Sequence, residues 1–170
     1  RIDPPTLAAH QVVMSLFFFV ALSLDALAIP AQTLVAADLG RERPDEAAHV
    51  ARRAVVLSVW CGLGLGVLTA ALSPVLPHLF TNDGPVLDRA SSAVLWLGGL
   101  MVPAAIAFAY DGVLIGAGDY RFLGRAALAY TIVLIPLAVV ILRWPDVGIA
   151  GIWAGVLLWT VLRATANHVR

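Results

Sequence analysis

The chain has 170 residues, 61% of them hydrophobic and 13% charged, with a formal net charge of zero. Soluble domains carry roughly 45–50% apolar and about 25% charged residues, so these fractions, with a mean hydropathy of +0.89, exclude a water-soluble globular domain. The neutral balance offers no basic surface for nucleic acid, and a single cysteine, Cys61, set in an apolar run, excludes an internal disulfide.

Five apolar runs approach or exceed the roughly 20 residues that span a bilayer. The first, 7–39, is longer than a minimal span, which predicts a tilted or bent helix. Pro30 inside it lacks an N–H and crowds the carbonyl of Ala26, so a bend is expected there. In the connector 40–53, Pro44 opens a short helix with Asp45 and Glu46 in its first turn and Arg52 and Arg53 towards its end, an order that suits the helix dipole. The second span covers 54–72, and its Gly62, Gly64 and Gly66 predict a flat face for a neighbouring backbone. Pro74, Pro77, Asn82-Asp83-Gly84 and Pro85 break the connector 73–89.

The third span, 90–115, contains Pro103 and ends in the turn Gly116-Ala117-Gly118-Asp119, whose glycines suit positive φ or close approach. The fourth, 122–142, carries Pro136; Pro145-Asp146 reads as a short turn, and the fifth span follows over 147–165. Trp144, Trp153 and Trp159 stand in or near its ends, where amphipathic rings favour the membrane interface.

Basic residues orient this array. There is no Lys, and eight Arg fall on one side of the five spans against three, Arg1, Arg89 and Arg143, on the other. Arg-rich loops face the cytoplasm, which predicts a multi-pass protein with its first residues outside and its C-terminus cytoplasmic. Arg without Lys, together with abundant Ala, points to a GC-rich bacterial genome and so to a bacterial inner membrane. A chain that opens on Arg1 and holds five spans reads as a fragment of a longer polypeptide.

Ionisable groups inside spans are costly and mark function. Asp25 stands thirteen residues before Asp38, about 20 Å along a helix and so towards mid-bilayer. Asp111 is five residues before Gly116, about 7 Å from its helix end. Each fits two roles. Asp25 is either a buried carboxyl hydrogen-bonded to a neighbouring helix or one that binds a proton or helps to hold a cation. Asp111 is either an interfacial anchor or part of the same chemistry. Gln11 and Gln32 are able to bridge helices or touch a substrate, and His10 lies near the outer interface. The sequence contains no HExxH, GxSxG, P-loop or Cys/His metal spacing, so neither a catalytic nor a metal site is expected. Leu24–Ala31 and Tyr110–Ala117 share Asp, Ile and Ala at equal offsets, which either chance in an Ala-rich chain or an internal repeat accounts for.

Several segments act together as a pattern: Ala8-Ala9-His10-Gln11, Leu24-Asp25-Ala26-Leu27-Ala28-Ile29 followed by Ala31-Gln32 and Leu39-Gly40, Tyr110 through Asp119, and Gly148-Ile149-Ala150-Gly151-Ile152-Trp153. This pattern resembles the multidrug and toxic compound extrusion (MATE) family, in its DinF-like branch, over essentially the whole chain. The resemblance implies an all-α integral membrane fold of twelve helices in two six-helix lobes. Residues 1–170 would be a partial C-terminal lobe, helices eight to twelve, so that five transmembrane helices form most of one lobe. It implies secondary active efflux of amphipathic or cationic compounds by alternating access, driven by inward flow of H+ or Na+, with no cofactor beyond that coupling ion. The implied partners are membrane lipids, drug-like small molecules and a missing N-terminal lobe, with no nucleic acid. Even-numbered helices of the family run from outside to inside, in agreement with the Arg bias.

The resemblance also limits the site. Carboxylates of the DinF-like branch that couple to protons lie mainly in the absent lobe, and an ion-binding Asp of the sodium-coupled branch falls where this chain has Ala104. Asp25, Gln32, Gln11 and Asp111 are therefore the candidate substrate- or ion-binding residues of this part. Other readings are a lipid-linked oligosaccharide flippase of the same superfamily, disfavoured because no Arg falls mid-span, and a truncated membrane product that does not transport. A membrane enzyme finds no support in the motifs.

Overall fold

The computed structural model describes residues 3–144 and 148–170. Five long helices follow one another: α1 Pro4–Gly40, α2 Pro44–Ala71, α3 Gly84–Gly116, α4 Tyr120–Arg143 and α5 Gly148–His168, with a 3₁₀ helix, Leu76–Leu79, before α3. All five are long and apolar enough to cross a membrane. The expected Pro145-Asp146 turn, the first residue of the fifth predicted span, Val147, and Arg1 lie outside the described residues.

Two elements differ from the sequence expectation. The short helix opened by Pro44 and the second span are one continuous α2. Arg52 and Arg53 are good helix formers, and no Pro or Gly separates them from the apolar run, so charge ends the span without ending the helix. The connector 73–89 is also shorter than predicted, because α3 starts at Gly84. Asp83 caps it by accepting the Val86 N–H at 3.1 Å, and Pro85 occupies the first turn. α1, α3 and α4 continue through Pro30, Pro103 and Pro136. Between α1 and α2 the chain turns on Arg41, Glu42 and Arg43, with Glu42 in the left-handed region at φ 58 and the Arg43 N–H donating to the Asp38 carbonyl at 2.9 Å.

α3 is the hub and packs on α1, α2 and α5. Within their apolar windows 56% of α3 is buried against 6% of α4, so α4 sits at the periphery. Small residues bring the α3 backbone close to its neighbours, the usual route to association where lipid removes the hydrophobic driving force. Of the three α2 glycines, two do this. A Cβ on Gly66 would stand 2.8 Å from the Gly98 carbonyl oxygen, and one on Gly62 would stand 2.7 Å from the Ala105 Cβ, while Gly64 faces open space. On the opposite flank, Gly112 abuts Ala28 and Gly116 abuts Gln32 of α1. The similar segments around Asp25 and Asp111 thus lie against one another. Trp153, Leu97, Leu100 and Met101 fill the interior between α1, α3 and α5.

Candidate functional site

Arg163 and Asn167 stand four residues apart, which sets them on one stripe of α5. That stripe meets α3. Asp111 accepts from the Arg163 guanidinium through one carboxylate oxygen and from the Asn167 amide through the other, the latter at 2.6 Å. The Arg163 and Asp111 side chains are 20% and 16% exposed, and Asn167 is buried. The guanidinium also lies 5.2 Å from the Phe108 ring centroid and 5.4 Å from that of Trp159, within cation–π range. A planar guanidinium suits this place because its donors reach the carboxylate while its faces rest on aromatic rings.

Two further contacts tie the same end of α5. The Tyr110 hydroxyl and His168 Nδ1 are 2.6 Å apart. Arg170 Nε donates to Asp119 at 2.7 Å, in the turn between α3 and α4. Asp119 also caps α4 by accepting the Phe122 N–H at 3.3 Å, and its carboxyl is held below its ordinary value, chiefly by the Arg170 hydrogen bond, which with the Phe122 N–H outweighs the opposing effect of desolvation. Both glycines of this turn serve as expected: Gly118 takes positive φ, at 74°, and Gly116 allows the close approach to α1.

Asp25 stands on α1 three residues before Ala28, whose backbone Gly112 of α3 abuts. Among the described residues, no hydrogen bond or ion pair engages the Asp25 side chain. α3 and α5 therefore meet on one guanidinium with one carboxylate bonded to it, and α1 packs on the same stretch of α3. Gln32 is half-buried and lends its backbone to the contact with Gly116, and Gln11 is exposed, its carbonyl accepting from Ser15 Oγ at 3.0 Å. Of the four predicted residues, the structure joins Asp111 to Arg163, sets Asp25 on α1 three residues from the Ala28–Gly112 contact and leaves Gln11 apart. Ala104, where the sodium-coupled branch has an Asp, is buried in the core of α3.

Sequence reasoning missed Arg163, Asn167 and His168 as site partners. Arg163 entered only as one more basic residue on the inner side, yet Arg163 and Asn167, four residues apart, were there to be read as a polar face on an apolar helix.

The other end of the bundle is held by a smaller polar group. Asp3 precedes α1, accepts from Thr6 Oγ1 at 2.5 Å and pairs with Arg89 of α3 at 2.9 Å. The Thr6 hydrogen bond, aided by the Arg89 charge, holds the Asp3 carboxyl below its ordinary value. Nearby, the His10 and Trp153 rings stand 5.9 Å apart at 54°. Among the described residues neither His10 Nδ1 nor Trp153 Nε1 has a hydrogen-bond partner.

Comparison with known proteins agrees with this architecture. The MatE family model matches residues 1–140. Protein DETOXIFICATION 44, chloroplastic, of Arabidopsis thaliana is 34% identical over 168 residues, which are 98% of this chain and 32% of that protein. Multidrug and toxin extrusion protein 2 of Homo sapiens is 35% identical over 133 residues, 77% of this chain and 22% of the human protein. The crystal structure of the eukaryotic MATE transporter AtDTX14 has the same fold, with a TM-score of 0.91 at 22% identity over 97% of this chain and 37% of that one. The chain spans about a third of the length of the Arabidopsis relatives it matches, 32% of DETOXIFICATION 44. A family match of this extent places the chain in the MatE family, the multidrug and toxic compound extrusion family that its motifs resemble.

Proposed function

We propose that this chain forms most of the C-terminal lobe of a secondary active exporter. It works with an N-terminal lobe to expel amphipathic or cationic compounds by alternating access, in antiport with H+ or Na+. The protein is transport machinery rather than an enzyme. Within the family we assign it to the DinF-like branch, in a bacterial inner membrane, with the α1–α2 and α3–α4 turns facing the cytoplasm. The single observation that supports this reading is the family match over residues 1–140, carried on helices that share the fold of a MATE transporter over 97% of the chain.

The two carboxylates take different roles. Asp111 is saturated by Arg163 and Asn167, so it holds α5 on α3. Asp25 retains free acceptor capacity among the described residues, three residues along α1 from the contact of Ala28 with Gly112 of α3. A carboxylate in that setting responds to a proton or cation by changing its charge, and it is the candidate coupling residue of this lobe. Gln32 and Gln11 are candidate substrate contacts on the same helix. The flippase reading is weaker, because the guanidinium nearest the interior of the bundle is already neutralised by Asp111 and offers little charge to a pyrophosphate.

Asp25→Asn in the intact transporter tests the coupling role. Dye efflux from inverted vesicles should fall at least several-fold at matched expression, with membrane insertion unchanged. Efflux equal to that of the parent protein refutes it.

A further inference from the structure

The outward face of α2 is unused by the bundle and has a divided chemistry. His49, Arg52, Arg53, Val56, Leu57 and Trp60 follow one another at helical spacing and are all exposed, Leu57 to 57% and Trp60 to 68%. Arg52 and Arg53 are cationic and His49 is polar; the rest are apolar. The apolar run of α2 begins at Ala54, so the two guanidinium groups stand at the level where a bilayer changes from headgroup to hydrocarbon. Among the described residues, ion pairs use Arg41, Arg89, Arg163 and Arg170, and none uses Arg52 or Arg53. Asp45 and Glu46 precede Arg52 and Arg53 by seven residues each, about 10 Å along the helix.

Two depressions meet at Arg53. One, of about 380 Å³, is bounded by His49, Arg52, Arg53, Val56 and Leu57. The other, of about 280 Å³, runs between α1 and α2, with Leu27, Pro30 and Leu34 on one wall and Arg53 and Leu57 on the other. Small Ala31 and Ala54 leave this second groove open. A basic rim thus continues into an apolar trough that points down the hydrocarbon layer.

We propose that this surface is a binding site for an anionic phospholipid of the leaflet at the N-terminal end of α2. The phosphate lies against Arg52 and Arg53, whose forked donors match its oxygens in pairs. One acyl chain lies along Leu57, Leu34 and Leu27. A zwitterionic lipid fills the trough equally well but brings its own cation to the rim, so the discrimination comes from charge. The exposed Arg121 and Arg125, on the same side of the array, line neither of these two depressions and provide the control.

Trp60 supplies the readout. It is seven residues beyond Arg53, about 10 Å deeper in the bilayer, where a brominated acyl chain quenches indole fluorescence on contact. The intact protein is reconstituted with increasing mole fractions of dibrominated phosphatidylglycerol or dibrominated phosphatidylcholine, and the Trp60 signal is isolated by difference from Trp60→Phe. Phosphatidylglycerol should quench at the lower mole fraction. Arg52→Gln with Arg53→Gln should shift that midpoint by about thirtyfold, while Arg121→Gln with Arg125→Gln leaves it in place. Equal quenching by the two lipids in the parent protein overturns the proposal. So does a preference that survives loss of Arg52 and Arg53, which an acidic segment of the polypeptide covering these residues would produce, or one lost equally in the control pair.

Discussion

α3 and α4 are both apolar membrane helices, yet one is the axis of the lobe and the other its fringe. α3 is rich in Ala and Gly, and its Ala93, Ala105 and Ala107 are fully buried. α4 carries Leu128, Ile132, Val133 and Ile135 outward, each more than half exposed. Hydrophobicity does not separate these helices, because lipid satisfies an apolar side chain as well as protein does. Side-chain size separates them: small residues let backbones approach and exchange dispersion contacts, whereas branched residues meet fluid acyl chains or another lobe.

The strongest way to break the comparison is to attack the more buried of the two ion pairs described on α3. Asp111→Ala leaves the Arg163 guanidinium in the bundle without its carboxylate. Breaking a buried pair from one side costs about 3–5 kcal/mol, and the Asn167 amide loses its acceptor as well. Thermal unfolding in detergent should show this as the largest loss of any single change considered, and Arg163→Met in the same background should recover much of it. A second test stays on α3 and uses volume alone. Gly112→Val drives a side chain into the Ala28 backbone, which cannot yield as a flexible side chain would. Overpacking of this kind costs about 1–3 kcal/mol, and a cysteine crosslink between α1 and α3 would report the separation. On α4, Ile132→Ala should change the stability of this chain by less than about 0.5 kcal/mol. If the same substitution destabilises the intact transporter by several-fold more, α4 is the face on which the rest of the protein rests.

The same contrast explains what the sequence made legible. Five helices followed from five apolar runs, because span length is imposed by the bilayer and is written in composition. The ends followed less well, because hydropathy marks where the lipid stops and not where the helix stops: α2 carries Arg52 and Arg53 within its helical body, and α3 begins at an Asp83 cap that hydropathy ignores. Gly62 and Gly66 were legible as a packing face, but Gly64 belongs to the other side of the helix, as a period of 3.6 residues requires. Asp25 and Asp111 stood out as carboxylates in apolar runs. The partner of Asp111 did not, since Arg163 sits near a helix end, where the positive-inside pattern already accounts for an arginine; only packing against α3 turns it inward.

The smallest expected effect lies at the turn between the two helices and has a definite pH sign. Asp119 is capped by Arg170 and the Phe122 N–H, and its carboxyl is held below the ordinary value of 3.8. A depressed folded value means that its stabilisation is complete above the ordinary carboxylate range and is lost as pH falls through the folded value. The site is open to solvent, so the contribution is modest. Hydrogen exchange of the Phe122 and Leu123 amides should quicken as pH falls below about 4, after correction for the intrinsic exchange rate. Asp119→Asn should flatten that dependence, because an amide oxygen keeps the cap and does not titrate in this range. An unchanged pH profile in Asp119→Asn would place the acid-sensitive step elsewhere, at Asp3 and Arg89, where the same sign holds at the opposite end of α3.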